Sequence, residues 1–318
     1  MTVSGLAPGG LRALVGTAVR AALGADPDTL DDYRTPVGDA GLFGPGSVPW
    51  LVHGDLPAML IGGFSALMLQ TLHPLAMAAV AEHSSYREDP FGRLQRTARF
   101  VAGTTFGAMP LVDQLVGEVR RVHASVRGVA ADGRRYSAND PALLRWVHTA
   151  EAWSFLRSHQ RYSTHPLLRG EQDRYLAEVA VIARRLGARD VPESVGQVRR
   201  YLASVRQELR ATPEALEAVH FLRTMPKERA VESLAHRVVG EAAIDLLPAF
   251  ARRELGLGGL VAAGGGPLPA RLATRAAAST FCHVVRWSVG PSVVRAIATE
   301  RAAGLVGGAA RTAAAGRA

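Results

Sequence analysis

From Leu56 to Ala81 the chain runs 26 residues without an Asp, Glu, Lys or Arg. A run of that length is long enough to cross a bilayer. Its content argues against a crossing. Gln70, Thr71 and His73 fall near its middle, where a polar group facing lipid is costly. Pro74 would remove a backbone donor from the helix interior and break it there. The expectation is a central buried helix over Leu56 to Ser84, in two pieces joined at Pro74, rather than a membrane span.

A core helix needs partners, and the rest of the chain supplies helical patterns. Aromatics are 6% of the 318 residues, and Ala, Leu, Arg and Val dominate, a bias toward helix over strand. One cysteine, Cys282, excludes a disulfide framework and a thiolate metal cluster. Two helix starts are legible as a capping acid followed by proline: Asp89-Pro90, opening a helix to about Ala102, and Asn139-Asp140-Pro141, opening one to about Thr164. Periodicity places further helices over 10–23, 111–128, 171–187, 193–210, 213–223, 230–247 and 248–255, with two more within 270–304. Residues 129–137 read as a turn or short hairpin, and 256–269 as a Gly/Pro loop. The fold class expected is all-α, a compact single-domain helical bundle of about a dozen helices. Residues 1–50 would form an N-terminal helix and a wrapping segment, 51–300 the helical domain, and 301–318 a basic Ala/Gly/Arg tail without fixed structure.

The net charge of +9 is unevenly placed. Seven Arg and one acid, Glu300, lie from Leu268 onward, so the rest of the chain carries only +3. A body so nearly balanced gives no chain-wide nucleic-acid footprint, and no nucleic-acid partner is expected. The tail reads as solvated, with peripheral contact to an anionic membrane as the alternative. The first residues, MTVSGLAPGG, do not read as a secretory leader, so a cytoplasmic location is expected, with membrane association as the variant.

Most catalytic signatures are missing. There is no nucleophile elbow, phosphate-binding loop, dinucleotide fingerprint or His-Glu-x-x-His zinc motif. A di-iron bundle needs two Glu-x-x-His pairs, and only Glu217-x-x-His220 occurs. What remains is histidine on apolar helix faces. His148, in LLRWVHTAEAWSFL, shares its face with Leu144, Glu151, Ala152 and Phe155. A neutral imidazole in such surroundings suits the axial position of a haem iron, and equally a core histidine bonded to a carbonyl. Arg93 and Thr97, four apart in DPFGRLQRTARF, share a second face. Arg offers a fork of donors for a propionate or bound oxygen and Thr a hydroxyl, while a solvated Arg is the plainer reading. His73, inside the uncharged run, needs a partner or a task.

These pieces stand in a telling order: QTLHPLAMAAVAEHS, then YREDPFGRLQRTARFVAGTTFG, then YSANDPALLRWVHTAEAWSFL, then YLAEVAVIARRLGA. The combination closely resembles the rubber oxygenase (latex clearing protein) and MpaB oxygenase family over about residues 45–255. The resemblance implies a globin-like helical core around a non-covalent b-type haem, with oxygen chemistry on a hydrophobic, often isoprenoid, substrate. It implies His148 as the iron's axial ligand and Arg93 and Thr97 as the Arg-x-x-x-Thr pair beside the haem. Arg96 takes the neighbouring basic position, and His73 is a looser cofactor contact. Rubber-cleaving members carry a glutamate upstream of that Arg; no acid stands at the matching spacing here, which points away from rubber itself. The function expected is a haem b-dependent oxygenase whose partners are O2 and a hydrophobic small molecule. The alternatives are a haem-binding sensor or carrier, and a cofactor-free membrane-associated helical protein.

Overall fold

Thirteen α-helices and one short hairpin make up the computed structural model, which describes residues 27–225, 230–257 and 268–304. The helix expected over 10–23, the 256–269 loop from residue 258 to 267, and the tail from residue 305 lie outside the described residues. A 3-10 turn at Pro27–Tyr33 leads through a wrapping segment to α1 (Val48–His53), α2 (Leu56–Gln70) and α3 (Pro74–His83). Next come α4 (Pro90–Phe106), α5 (Met109–Ser125), and the hairpin of β1 (Arg127–Val129) and β2 (Arg135–Ser137), paired antiparallel with Gly128 opposite Tyr136. Helix α6 (Pro141–Tyr162) follows, then α7 (Arg169–Leu186), α8 (Val195–Val205) and α9 (Pro213–Thr224). The chain closes with α10 (Ala230–Leu246), α11 (Ala249–Glu254), α12 (Leu268–Val289) and α13 (Val293–Ala302).

The uncharged run is the buried centre. Its two pieces, α2 and α3, meet at 104°, and no single described helix is long and apolar enough to cross a membrane. Ile61, Met68, Leu69 and Leu72 are fully buried, each contributing about 1.5–3 kcal/mol of hydrophobic stabilisation. Two of the three polar groups that argued against lipid are bonded within the protein, Thr71 donating its hydroxyl to the Met68 carbonyl at 2.8 Å, while the buried His73 Nδ1 has no partner among the described residues. Gln70 donates through Nε2 to the Val147 carbonyl at 3.1 Å, and its own carbonyl accepts from Trp146 Nε1 at 3.2 Å. Ser158 Oγ donates to the Ala58 carbonyl at 2.6 Å. These bonds lock α2 against α6 along their length. Gly62 permits the closest approach: a Cβ there would stand 2.9 Å from Phe155 Cδ1 and 3.1 Å from Phe155 Cα.

Around this pair, α7, α8, α10 and α11 close the main core through Tyr175, Val179, Leu202, Ile244 and Ala251. On the other side of α2, α10 and α12 pack through Ala242, Ala243, Ala278 and Cys282. Both expected helix starts form: Asp89 accepts from the Gly92 N–H and Asp140 from the Ala142 N–H, each at 2.8 Å. Asp55, which precedes α2, instead holds Arg286 of α12 through a two-pronged ion pair of 3.0 and 2.9 Å.

Candidate active site

On α6, Leu144, Ala152 and Phe155 are buried, while His148 and Glu151 between them are half-buried. Among the described residues no hydrogen bond reaches the His148 ring or the Glu151 carboxyl. Burial, helped by the Arg184 charge, pushes the His148 pKa down to about 4, so the ring is neutral at pH 7. Burial alone pushes Glu151 up to about 7. Both side chains are thus strongly desolvated although part of their surface stays open.

The inner wall comes from three other helices. His53, at the end of α1, has its ring edge-on to Phe155, with centroids 5.4 Å apart. Its Nδ1 meets Thr105 Oγ1 of α4 at 2.7 Å and its Nε2 meets the Tyr175 hydroxyl of α7 at 2.9 Å. The tautomer follows from the bonding. Thr105 spends its one hydroxyl proton on the Val101 carbonyl at 2.6 Å, so it accepts from Nδ1–H, and Nε2 accepts from Tyr175. Burial first, then the nearby His148 and His159, drive the His53 pKa down to about 3. His53 is therefore neutral, with both nitrogens engaged. Tyr175 is fully buried, and its pKa is raised by burial and by Glu151. Glu151, Tyr175, His53 and His148 thus border one desolvated site.

Helix α4 leads outward from this wall. Thr105, Val101, Thr97 and Arg93 follow one another at four-residue spacing and share a face. Val101 packs on the main core, but every residue from Leu94 to Ala98, and Arg99 beyond, is exposed. Five consecutive helical positions cover all directions around the axis. This half of α4 therefore stands clear of the core on its inner side as well, in line with the His53 end of the site. Thr97 donates its hydroxyl to the Arg93 carbonyl at 3.1 Å. The Arg93 guanidinium lies 5.9 Å from the Tyr86 ring centroid, and burial lowers its pKa. Arg96 reaches Asp89 at 3.4 Å on the surface.

The sequence-derived residues are thus only partly brought together. His148 lines the desolvated site; Arg93 and Thr97 occupy the outer part of the α4 face that reaches it; Arg96 points to the helix's own capping acid. His73 lies elsewhere. Its ring centroid is 6.1 Å from that of Trp146, and its Nε2 is 3.7 Å from Glu208. Trp146 and His148 are two apart on α6 and project in nearly opposite directions. Glu217 forms an ion pair with Arg87 at 2.7 Å. Sequence reasoning missed His53, Thr105 and Tyr175. They carry no motif, and their partners lie 52 and 122 residues apart, so no local signal marks them.

The donor set limits what metal chemistry the site can host. Among the described residues no group of three or more His, Cys, Asp or Glu side chains could hold an ion. A metal arriving in its own macrocycle asks the protein for as little as one axial ligand. His148 fits that requirement: it is neutral, desolvated and unbonded. His53, with both nitrogens taken, does not.

Comparison with known proteins agrees with this architecture. A family model described as ER-bound oxygenase mpaB/B'/rubber oxygenase, catalytic domain, matches residues 50–287. No curated protein and no solved structure matches the chain. The matched span includes α2 through most of α12, and so every residue of the desolvated site. The chain belongs to the MpaB and rubber oxygenase catalytic-domain family.

Proposed function

We propose that this oxygenase is haem b-dependent, with His148 as the residue that would hold the iron, and that it acts on a hydrophobic, isoprenoid- or lipid-like substrate. The observation that carries the reading is the state of His148: neutral, without a hydrogen-bond partner among the described residues, and half-open within a desolvated site. Bound haem would supply the redox chemistry with O2 that the side chains lack.

The chain's own residues then divide the remaining work. His148 Nε2 or Nδ1 offers the lone pair that holds the group, and burial keeps that lone pair free of a proton. Val101, Val147 and Phe155 give the surroundings an apolar character, which favours a substrate without charge and excludes water. Arg93 and Thr97 bring a cation and a hydroxyl along the open stretch of α4, suited to a carboxylate at the rim of the group or to a polar atom of the substrate. Glu151, with a pKa near 7, can hold or release a proton at its carboxyl under physiological conditions. The His53–Thr105–Tyr175 chain fixes the inner end of α4 so that this face keeps its place.

A haem sensor or carrier would need the same histidine but would consume no oxygen with a substrate. Oxygen uptake by the haem-loaded protein, measured with an electrode on addition of a long-chain isoprenoid alkene, separates the two. Uptake with formation of carbonyl products, reduced at least tenfold in Arg93→Gln, is the expected result. Stoichiometric haem with no uptake on any apolar alkene would make the protein a binder.

A further inference from the structure

The β1–β2 hairpin carries a cleft on the face that it turns away from the core. Strand pairing puts Arg127 beside Ser137 and Val129 beside Arg135. Side chains alternate along a strand, so these four share one face while Gly128 and Tyr136 share the other. Tyr136 is buried on that inner face, where its hydroxyl donates to Glu82. The outer face, with Ala124 from the last turn of α5 and Asn139 just before α6, lines a cleft of about 450 Å³. Pockets that hold small organic molecules are of this size.

Two cations and no acid line it. Arg127 and Arg135 are diagonal neighbours, roughly 7–8 Å apart across the strand pair and within reach of each other's long side chains. Like charges so placed repel, and among the described residues neither guanidinium meets a carboxylate. The nearby acids are engaged elsewhere: Glu82 by Tyr136, Asp132 by Arg134 and Arg210, and Asp140 by the Ala142 N–H that it caps. Arg127 is oriented by one bond, from Nη2 to the Ala124 carbonyl at 2.7 Å, which leaves its Nε and Nη1 free. Ser137 Oγ accepts from the Asn139 N–H at 3.3 Å, so its own proton is available to donate. We propose that this cleft is a binding site for a phosphate dianion. A phosphate monoester carries close to two negative charges above pH 7, matching the two guanidiniums, each of which can present paired N–H groups to its oxygens. A carboxylate would offset only one of the two charges. Ala124 and Val129, the latter 55% exposed, give the cleft an apolar side that suits an organic phosphate better than the free ion.

Isothermal titration calorimetry of the full-length protein with phenyl phosphate, inorganic phosphate and benzoate tests this, at about pH 7.5 and about 0.15 M NaCl so that distant charges are screened. Phenyl phosphate should bind at one per chain, and benzoate at least about tenfold more weakly. Tighter binding of phenyl phosphate than of inorganic phosphate assigns the site to an organic phosphate; equal binding assigns it to the free ion, and the phosphate site stands in both cases. Arg127→Gln and Arg135→Gln should each weaken phenyl phosphate by at least about tenfold, the loss of one charge-assisted contact. Arg135 makes no bond among the described residues, so Arg135→Gln should keep the wild-type melting temperature. Arg169→Gln, on α7 and outside the cleft, removes the same charge and should change nothing. Three results would overturn the proposal: no saturable binding of either phosphate; benzoate bound as tightly as phenyl phosphate; and affinities that are unchanged in both cleft variants or equally weakened in Arg169→Gln, which would mean attraction to net charge alone. None of these readouts depends on the haem assignment.

Discussion

Replacing Glu151 by Gln should make this protein more stable at pH 8 and leave it unchanged near pH 4.5. Burial holds the folded-state pKa at about 7 against 4.5 for an unperturbed glutamate. The folded carboxyl thus binds its proton more tightly than the unfolded one. Between the two values stability falls as pH rises, and above pH 7 the full cost of a buried, unpartnered carboxylate is present. Some 2.5 pKa units correspond to about 3 kcal/mol. Gln keeps the shape and removes the charge. Urea unfolding without added cofactor, followed by far-UV circular dichroism from pH 4.5 to 8, measures the difference. His53 and His148, both pushed down by burial, cost stability as pH drops below 6.5, but they do so in both proteins and cancel. A variant no more stable than wild type at pH 8, or an offset that does not change with pH, would refute the reasoning. It would mean that Glu151 faces bulk water and that the site is not desolvated.

Two further substitutions probe the frame that builds the site. Gly62→Ala would drive a methyl into the Phe155 backbone and ring, so a loss of about 1–3 kcal/mol is expected in thermal or urea unfolding; a neutral result would mean that α2 and α6 are not in close contact. Asp55→Ala would leave Arg286 uncompensated in a largely buried setting, and a loss of about 3 kcal/mol is expected. If Asp55→Ala instead melts as wild type does, α12 is not anchored to the start of α2.

Much of the frame was legible because local chemistry dictated it. Asp89-Pro90 and Asp140-Pro141 fixed two helix starts to the residue. Pro74 marked the bend in the uncharged run because a proline cannot continue a straight helix. Helix α4 overruns its expected end at Ala102 and continues to Phe106. Gly103 stands inside the helix, where a Cβ would collide with Leu115 of α5. The real stop is Gly107, whose extended ψ of 157° ends the helix. Within the site, the face shared by His148, Glu151 and Phe155 followed from helical spacing. The desolvation that sets apart His148 and Glu151 did not, because it comes from helices distant in sequence. His73 illustrates the same limit. Its place in the uncharged run predicted burial, which holds at 4% exposure, but not the side of α6 on which it would lie.

The proposed function turns on His148 holding a haem. Titrating haem into the purified wild-type protein and the His148→Ala variant, and recording absorption spectra, tests it most directly. A sharp Soret band that saturates at one haem per chain is expected in the wild type and should be lost in the variant, with both proteins showing the same helical content. A variant that binds haem with the same stoichiometry and band position, or a wild type that stays colourless after titration, would contradict it.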